Sequence, residues 1–263
     1  MADAAVAVKM EDRAGGARIA RVTVDNAQRL NCLSTPLNLR LADAFTTLGA
    51  DGALRAVVLT GAGARAFIGG ADLNELEGLC ADSARLYITR LHQACMAIRH
   101  CPVPVIGRIN GFALGAGLEV AASCDMRAAA ASAQFGMPEV RMGIPSVIEA
   151  ALLPGLIGWG RTREMLLTGA IYSASEALAM GLVEKVVPAG DLDAELERWI
   201  AAICAAAPRA VRAQKALINR WQQLSIDEGI EASIEALSDA YRTGEPRAAI
   251  AAFFAGRSKR RQS

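Results

Sequence analysis

Hydrophobic and polar positions divide the chain into two stretches of different rhythm. Up to Val187, short apolar runs of strand length alternate with segments whose apolar residues recur every three or four positions; after Pro188 only the helical rhythm continues. Residues 5–11 and 17–24 read as two strands around a turn at Ala14-Gly15-Gly16, with Ile19, Arg21 and Thr23 alternating against Ala20, Val22 and Val24. Ser34-Thr35-Pro36 opens a helix, with Ser34 or Thr35 as cap and proline in the first turn, and Leu37, Leu41, Ala44, Phe45 and Leu48 form its apolar face. Residues 55–60 read as a buried strand. A helix starts at Ala71-Asp72, with Leu73, Leu76 and Leu79 behind it. Residues 82–99 form an amphipathic helix through Ile88, Leu91, Cys95 and Ile98, which leaves His92 and His100 at a surface or an end, with no chemistry assigned.

Pro102 and Pro104 stop that helix and lead into a strand over residues 103–109, and a glycine-rich segment then opens an apolar helix over 118–124. Residues 125–131 are the next strand. Gly143-Ile144-Pro145-Ser146 is expected to start another apolar helix, broken by residues 155–160, with Glu149 in its first turn. Residues 161–167 and 176–180 are helical, the latter capped by Ser173-Ala174-Ser175, and 182–187 is a last strand. Residues 191–206, 208–224, 227–241 and 245–255 are all helices. Strands layered with helices predict an α/β core over residues 1–190 and an all-helical segment over 191–263, used for packing or assembly.

Composition narrows the class. The chain has 263 residues, 53% hydrophobic and 21% charged, long enough for a large core. A net charge of +1 predicts no nucleic-acid or anionic-membrane surface. Six cysteines without a C-x-x-C pair point to reduced thiols in a cytoplasmic compartment. The two histidines have no partner at ligand spacing, so no metal site is expected. Residues 1–10 lack the pattern of a secretory signal, and no uncharged apolar run reaches membrane-spanning length.

The candidate chemistry lies in two glycine-lined helix starts. Asn110-Gly111-Phe112-Ala113-Leu114-Gly115-Ala116-Gly117-Leu118-Glu119 is one; Gly69-Gly70-Ala71 is the other. The first amides of a helix have no internal partner and sit at the positive end of its dipole, so they can hold negative charge that develops in a reaction. Both can equally be ordinary helix caps. Glu119 lies one turn past Ala116 among apolar neighbours, so it reads as a buried acid. Gly61-Ala62-Gly63-Ala64-Arg65-Ala66 loosely fits a dinucleotide-binding loop, but Gly69-Gly70 interrupts the helix that such a loop requires. Glu139 follows a proline in an apolar turn and by itself reads as a loop acid. Glu149 is either a substrate-pocket acid or a buried structural one; the structural reading is preferred. The basic end at residues 257–262 reads as solvated.

Three blocks give the chain its resemblance to the enoyl-CoA hydratase/isomerase (crotonase) family: residues 66–73, residues 110–119 continuing to Ser123-Cys124-Asp125, and Gln134-Phe135-Gly136-Met137-Pro138-Glu139. The resemblance runs over residues 6–254. It implies a spiral of ββα units followed by a helical segment that builds a trimer, often a dimer of trimers. It implies an acyl-CoA thioester substrate, with coenzyme A part of that substrate and no cofactor bound permanently. The amides of Ala71 and Ala116 would hold the thioester oxygen. Glu119 would deprotonate a water attacking C3 of a trans-2-enoyl chain, and Glu139 would deliver the proton to C2. Substrate binding would draw on Leu30, Cys32, Leu33, Ile68, Gly70, Ala71, Asp72, Leu73, Gly115, Phe253 and Lys259. Double-bond isomerisation or another acyl-CoA reaction is the alternative, since related branches often keep only the acid that matches Glu139. The departure from the family pattern is at residues 145–150, where Val147, Ile148 and Glu149 replace a glycine-rich stretch and reshape the acyl pocket.

Overall fold

A computed structural model describes residues 4–260, the side chains of 256–260 excepted. The chain divides into two compact units, residues 1–200 and 201–263.

The first unit begins with strand β1 (Ala5–Asp12), paired antiparallel with β2 (Arg18–Asp25), and helix α1 (Thr35–Gly49). Three turns of strand, strand and helix follow. The first holds β3 (Leu54–Gly61), β4 (Ala66–Ile68), the short α2 (Leu73–Glu77) and the long α3 (Ala81–Arg99). The second holds β5 (Val105–Ile109), β6 (Phe112–Leu114) and α4 (Ala116–Ala122). The third holds β7 (Met126–Ala130), β8 (Gln134–Gly136) and α5 (Leu153–Thr168). In each turn the first strand enters a six-stranded sheet, ordered β1-β2-β3-β5-β7 with β10 (Lys185–Val187) at its edge, and the second enters a four-stranded sheet, β4-β6-β8 with β9 (Ile171–Ser173). This is the expected α/β spiral of ββα units. Between β9 and β10 lies α6 (Ala174–Ala179), whose cap Ser173 and third-position Glu176 bond each other's backbone N–H groups.

The turns are fastened by side chains that bond backbone where strands leave the large sheet for the small one. Asn110 donates to the carbonyls of Gly61, Gly63 and Ala66, and Asn31 donates to those of Ala62 and Ala66. Buried amides satisfied in this way hold β3, β4 and β5 at one junction. The core between sheets and helices is continuous, with Phe45, Phe67 and Phe135 fully enclosed.

The small sheet is the main departure from the periodicity reading. Its strands are three residues each, too short for an alternation of two to register, and only the resemblance implied them. The helix expected from Gly143 also differs. Residues 143–147 run irregularly, a 3-10 turn covers Ile148–Leu152, and α5 starts at Leu153. Within α5, Gly158 (φ 74, ψ 161) leaves helical geometry, so two helical pieces meet there, inside the break expected at residues 155–160.

Helix α7 spans Leu192–Ala205. Its first turns lie within the first unit. Leu192, Leu196 and Ile200 are buried, Arg108 grips Asp193 with two bonds of 3.0 and 2.9 Å, and Arg13 holds Glu197 at 2.7 Å. The second unit holds α8 (Pro208–Trp221), α9 (Ile226–Tyr241) and α10 (Glu245–Arg260). Its Trp221 indole donates to the Gly229 carbonyl, where α8 and α9 meet. Among the described residues, no helix is long and apolar enough to cross a membrane.

Candidate active site

A cavity of about 800 Å³ opens in the spiral unit between α2, α3, the start of α4 and residues 138–147. Its wall is largely apolar, through Leu73, Leu76, Leu79, Ile88, Leu91, Met142, Ile144 and Val147. Two carboxylates, Glu119 and Glu139, lie on it.

Glu119 stands in the first turn of α4, with 4% of its surface exposed, and its Oε1 has no hydrogen-bond partner. Burial, then the charges of Glu139 and Glu149, push its carboxyl up to about 8, against a small opposing pull from the Ala150 amide. Glu119 therefore holds a proton at neutral pH. Glu139 sits in the 3-10 turn Pro138–Met142 and is half-buried. The Ser146 hydroxyl donates to its Oε2 at 2.9 Å. Its Oε1 lies against Gly115, where an added Cβ would come within 2.5 Å of it. Gly115 (φ 52, ψ −121) has a backbone conformation closed to side chains, so glycine there serves both the turn and the carboxylate.

The two glycine-lined segments also reach the cavity. Leu33 donates to the Gly70 carbonyl and accepts from the Asp72 amide, both at 2.8 Å, in a parallel bridge centred on Ala71. Because neighbouring amides in extended chain point opposite ways, the Ala71 N–H faces away from Leu33. Ala116 is the first residue of α4, and its N–H has no acceptor within the helix. Both residues line the cavity. Gly117 lets α4 come this close to β4, since a Cβ there would stand 1.9 Å from the Ile68 carbonyl oxygen.

Of the other residues singled out from the sequence, Leu30, Cys32, Gly70, Leu73 and Gly115 line the cavity. Leu33 and Ile68 are wholly buried in the core, and the Asp72 carboxylate caps α2 and pairs with Arg29 at 3.1 Å, so these three side chains are not part of the lining. Phe253 is exposed on α10 in the second unit, and the side chain of Lys259 lies outside the described residues. Glu149 is 2% exposed, lies off the cavity wall and accepts from His92 Nδ1 at 2.9 Å.

The sequence reading missed His92, Ser146 and Cys80. His92 carried no ligand spacing and Ser146 no motif. Cys80 lines the cavity at the start of α3, and the Ser83 hydroxyl beside it lowers its thiol to about 7. No group of three or more His, Cys, Asp or Glu among the described residues could hold a metal ion.

An apolar cavity with paired acids at its wall and two backbone amides available to it can move protons while holding a developing negative charge. Comparison with known proteins gives the family. The model of the enoyl-CoA hydratase/isomerase family matches residues 14–260, and the chain belongs to that family. It is 33% identical to crotonyl-CoA hydratase of Syntrophomonas wolfei and 34% identical to short-chain-enoyl-CoA hydratase of Clostridium acetobutylicum, in each case over 90% of this chain and 91% of the relative. The crystal structure of enoyl-CoA hydratase from Bacillus anthracis superposes with a TM-score of 0.89 at 31% identity, over 95% of this chain and 96% of that one.

Proposed function

We propose that the protein catalyses reversible addition of water to a trans-2-enoyl-CoA thioester. The observation that carries this reading is the pairing of Glu119 and Glu139 on one cavity wall, close enough for the charge of one to hold a proton on the other. The thioester oxygen would accept from the Ala71 and Ala116 amides, which stabilise the enolate-like charge as it forms. Losing one such donor costs roughly 3–4 kcal/mol of barrier stabilisation.

Hydration takes one proton from water and gives one to C2. In the free enzyme the Glu119 carboxyl is the one pushed up, to about 8, and the Ser146 hydroxyl donates to Glu139 Oε2 at 2.9 Å. That arrangement suits Glu139 to accept from the water attacking C3 and Glu119 to supply the proton at C2. It reverses the roles assigned from the resemblance, and burial is the reason: the deeper acid is the one that keeps its proton. Leu30 and Cys32 stand at the cavity where the coenzyme A portion would lie, with coenzyme A entering as part of the substrate and no cofactor bound permanently. The reading includes a cytoplasmic homotrimer or dimer of trimers that engages neither nucleic acid nor membrane.

The test is loss of ultraviolet absorbance of a short trans-2-enoyl-CoA on incubation with the protein. Glu119→Gln and Glu139→Gln are each expected to lower kcat by about 10²–10⁴. Absence of hydration by the wild type, with the thioester still bound, would overturn the reading. Double-bond isomerisation has one observation in its favour, namely that Glu139 is the less buried acid on the cavity wall and is held there by the Ser146 hydroxyl. Turnover of a 3-enoyl-CoA that survives Glu119→Gln would select it.

A further inference from the structure

We propose that the cavity takes a substrate with a medium or long apolar acyl chain, laid along the wall that α3 and residues 142–147 form, and that a four-carbon chain is a poor substrate. The proposal deepens the hydratase reading and rests on it.

Three observations carry it. The first is an unbroken run of apolar side chains from the enclosed part of the cavity to its mouth. Leu91 on α3 is 1% exposed, Ile88 and Leu79 are half-buried, and Met142, Ile144 and Val147 are 48%, 42% and 40% exposed; all six line the cavity. Exposed apolar side chains scattered singly mean little. Here they stand close together at the edge of a cavity of about 800 Å³, and an apolar ligand running out of that cavity covers them.

The second observation is length. Ala84, Ile88 and Leu91 follow one another at spacings of four and three, so they share one face of α3, and all three line the cavity. From 84 to 91 the helix advances about 10 Å. An extended hydrocarbon chain advances roughly 1.3 Å per carbon, as bonds of about 1.5 Å at tetrahedral angles require. A four-carbon enoyl chain has only its methyl group beyond C3 and leaves most of that face bare.

The third is what the wall offers chemically. From Ala84 onward the amides of α3 are engaged inside the helix. The Tyr87 hydroxyl, whose residue also lines the cavity, donates to the Leu33 carbonyl at 2.8 Å. Arg85 is the one basic residue on the wall among the described residues; it is exposed, so its stem can lie on the wall with its head in water. The amide-bearing arm of coenzyme A therefore finds few partners along this face, whereas hydrocarbon needs none.

The experiment compares hydration of trans-but-2-enoyl-CoA, trans-dec-2-enoyl-CoA and a ten-carbon 2-enoyl-CoA ending in a carboxylate. In the wild type kcat/KM is expected to rise at least about tenfold from the four-carbon to the ten-carbon chain, since each methylene that leaves water contributes up to about fourfold. Ile144→Ser, at an exposed position so that folding is retained, and Ile88→Ala on the facing wall should each lower the ratio of ten-carbon to four-carbon kcat/KM about fivefold. Light scattering should give Ile144→Ser the mass of the wild type.

A wild-type ratio that is flat or falls with chain length overturns the proposal. So does a ratio that neither variant moves, or a preference for the carboxylate-tipped chain, which would assign the wall to Arg85 instead. A changed mass for Ile144→Ser also overturns it, because the mouth would then be a contact between copies of the chain. Calorimetric titration with saturated butanoyl-CoA and decanoyl-CoA reads the same wall without turnover. Tighter binding of decanoyl-CoA, weakened in both variants, in a protein that hydrates no enoyl-CoA would support the acyl wall and overturn the hydratase reading.

Discussion

At the scale of single residues, the candidate site treats two like side chains unequally. Glu119 is enclosed and neutral; Glu139 is half-buried and tied to a hydroxyl. Two predictions belong here. Ser146→Ala removes the donor to Glu139 and should lower kcat roughly tenfold while leaving KM within about twofold, in line with the loss of one hydrogen bond to a charged group. Steady-state kinetics with the enoyl-CoA substrate checks it.

The second concerns stability. The folded carboxyl of Glu119 is raised from 4.5 to about 8, so its neutral burial contributes fully below about pH 4.5 and is lost as pH rises to about 8. Across that window the unfolded chain releases a proton that the folded chain retains. At about 1.4 kcal/mol per pKa unit, the decline is on the order of 5 kcal/mol. Denaturant unfolding of the wild type and Glu119→Gln at pH 5 and pH 8 should show a flatter pH dependence in the variant.

At the scale of elements, two short pieces of chain position the chemistry. One is the approach of α4 to β4, which Gly117 allows. Gly117→Ala should cost at least about 2 kcal/mol by denaturant unfolding and lower activity with it, because the new Cβ meets backbone rather than a side chain that can move aside. The other is the segment 145–150. Its apolar pattern resembled a helix start; Ser146 carried no signal, and Glu149 read as either a substrate-pocket acid or a buried structural one. Their partners were not legible. Ser146 meets Glu139 seven positions back, and Glu149 meets His92 fifty-seven positions away, through a backbone twist at Ile148 that residue type argues against. The long helices read from periodicity were recovered within a few residues at most ends, since most of them bury one face. The three-residue strands escaped it, since their pairing partners supply what so short a pattern cannot.

At the scale of the whole molecule, the second unit presents Ile226, Ile230, Ile234, Leu237 and Tyr241 along α9, each more than half exposed. Spacings of three and four residues place them on one face of the helix. A stripe of this kind calls for a covering surface, consistent with the proposed trimer. Light scattering should give a trimer or hexamer mass for the wild type, and Ile230→Asp with Leu237→Asp should shift it toward monomer. A wild-type monomer would remove oligomerisation from the reading.

The order of strands and helices, the long amphipathic elements, the two glycine-lined turns and the identity of Glu119 and Glu139 all follow from local pattern, spacing and the family resemblance they carry. Local chemistry suffices for these because propensity, capping and periodicity act over a few residues. The division of strands between two sheets, the outward turn of the Ala71 amide, the grip of Ser146 on Glu139 and the placing of His92 and Glu149 behind Glu119 depend on groups distant in sequence. So does the location of the proton. A glutamate has no preference in the chain for being acid or base; enclosure in an apolar core and the presence of two further carboxylates set its charge, and both exist only once the spiral has closed.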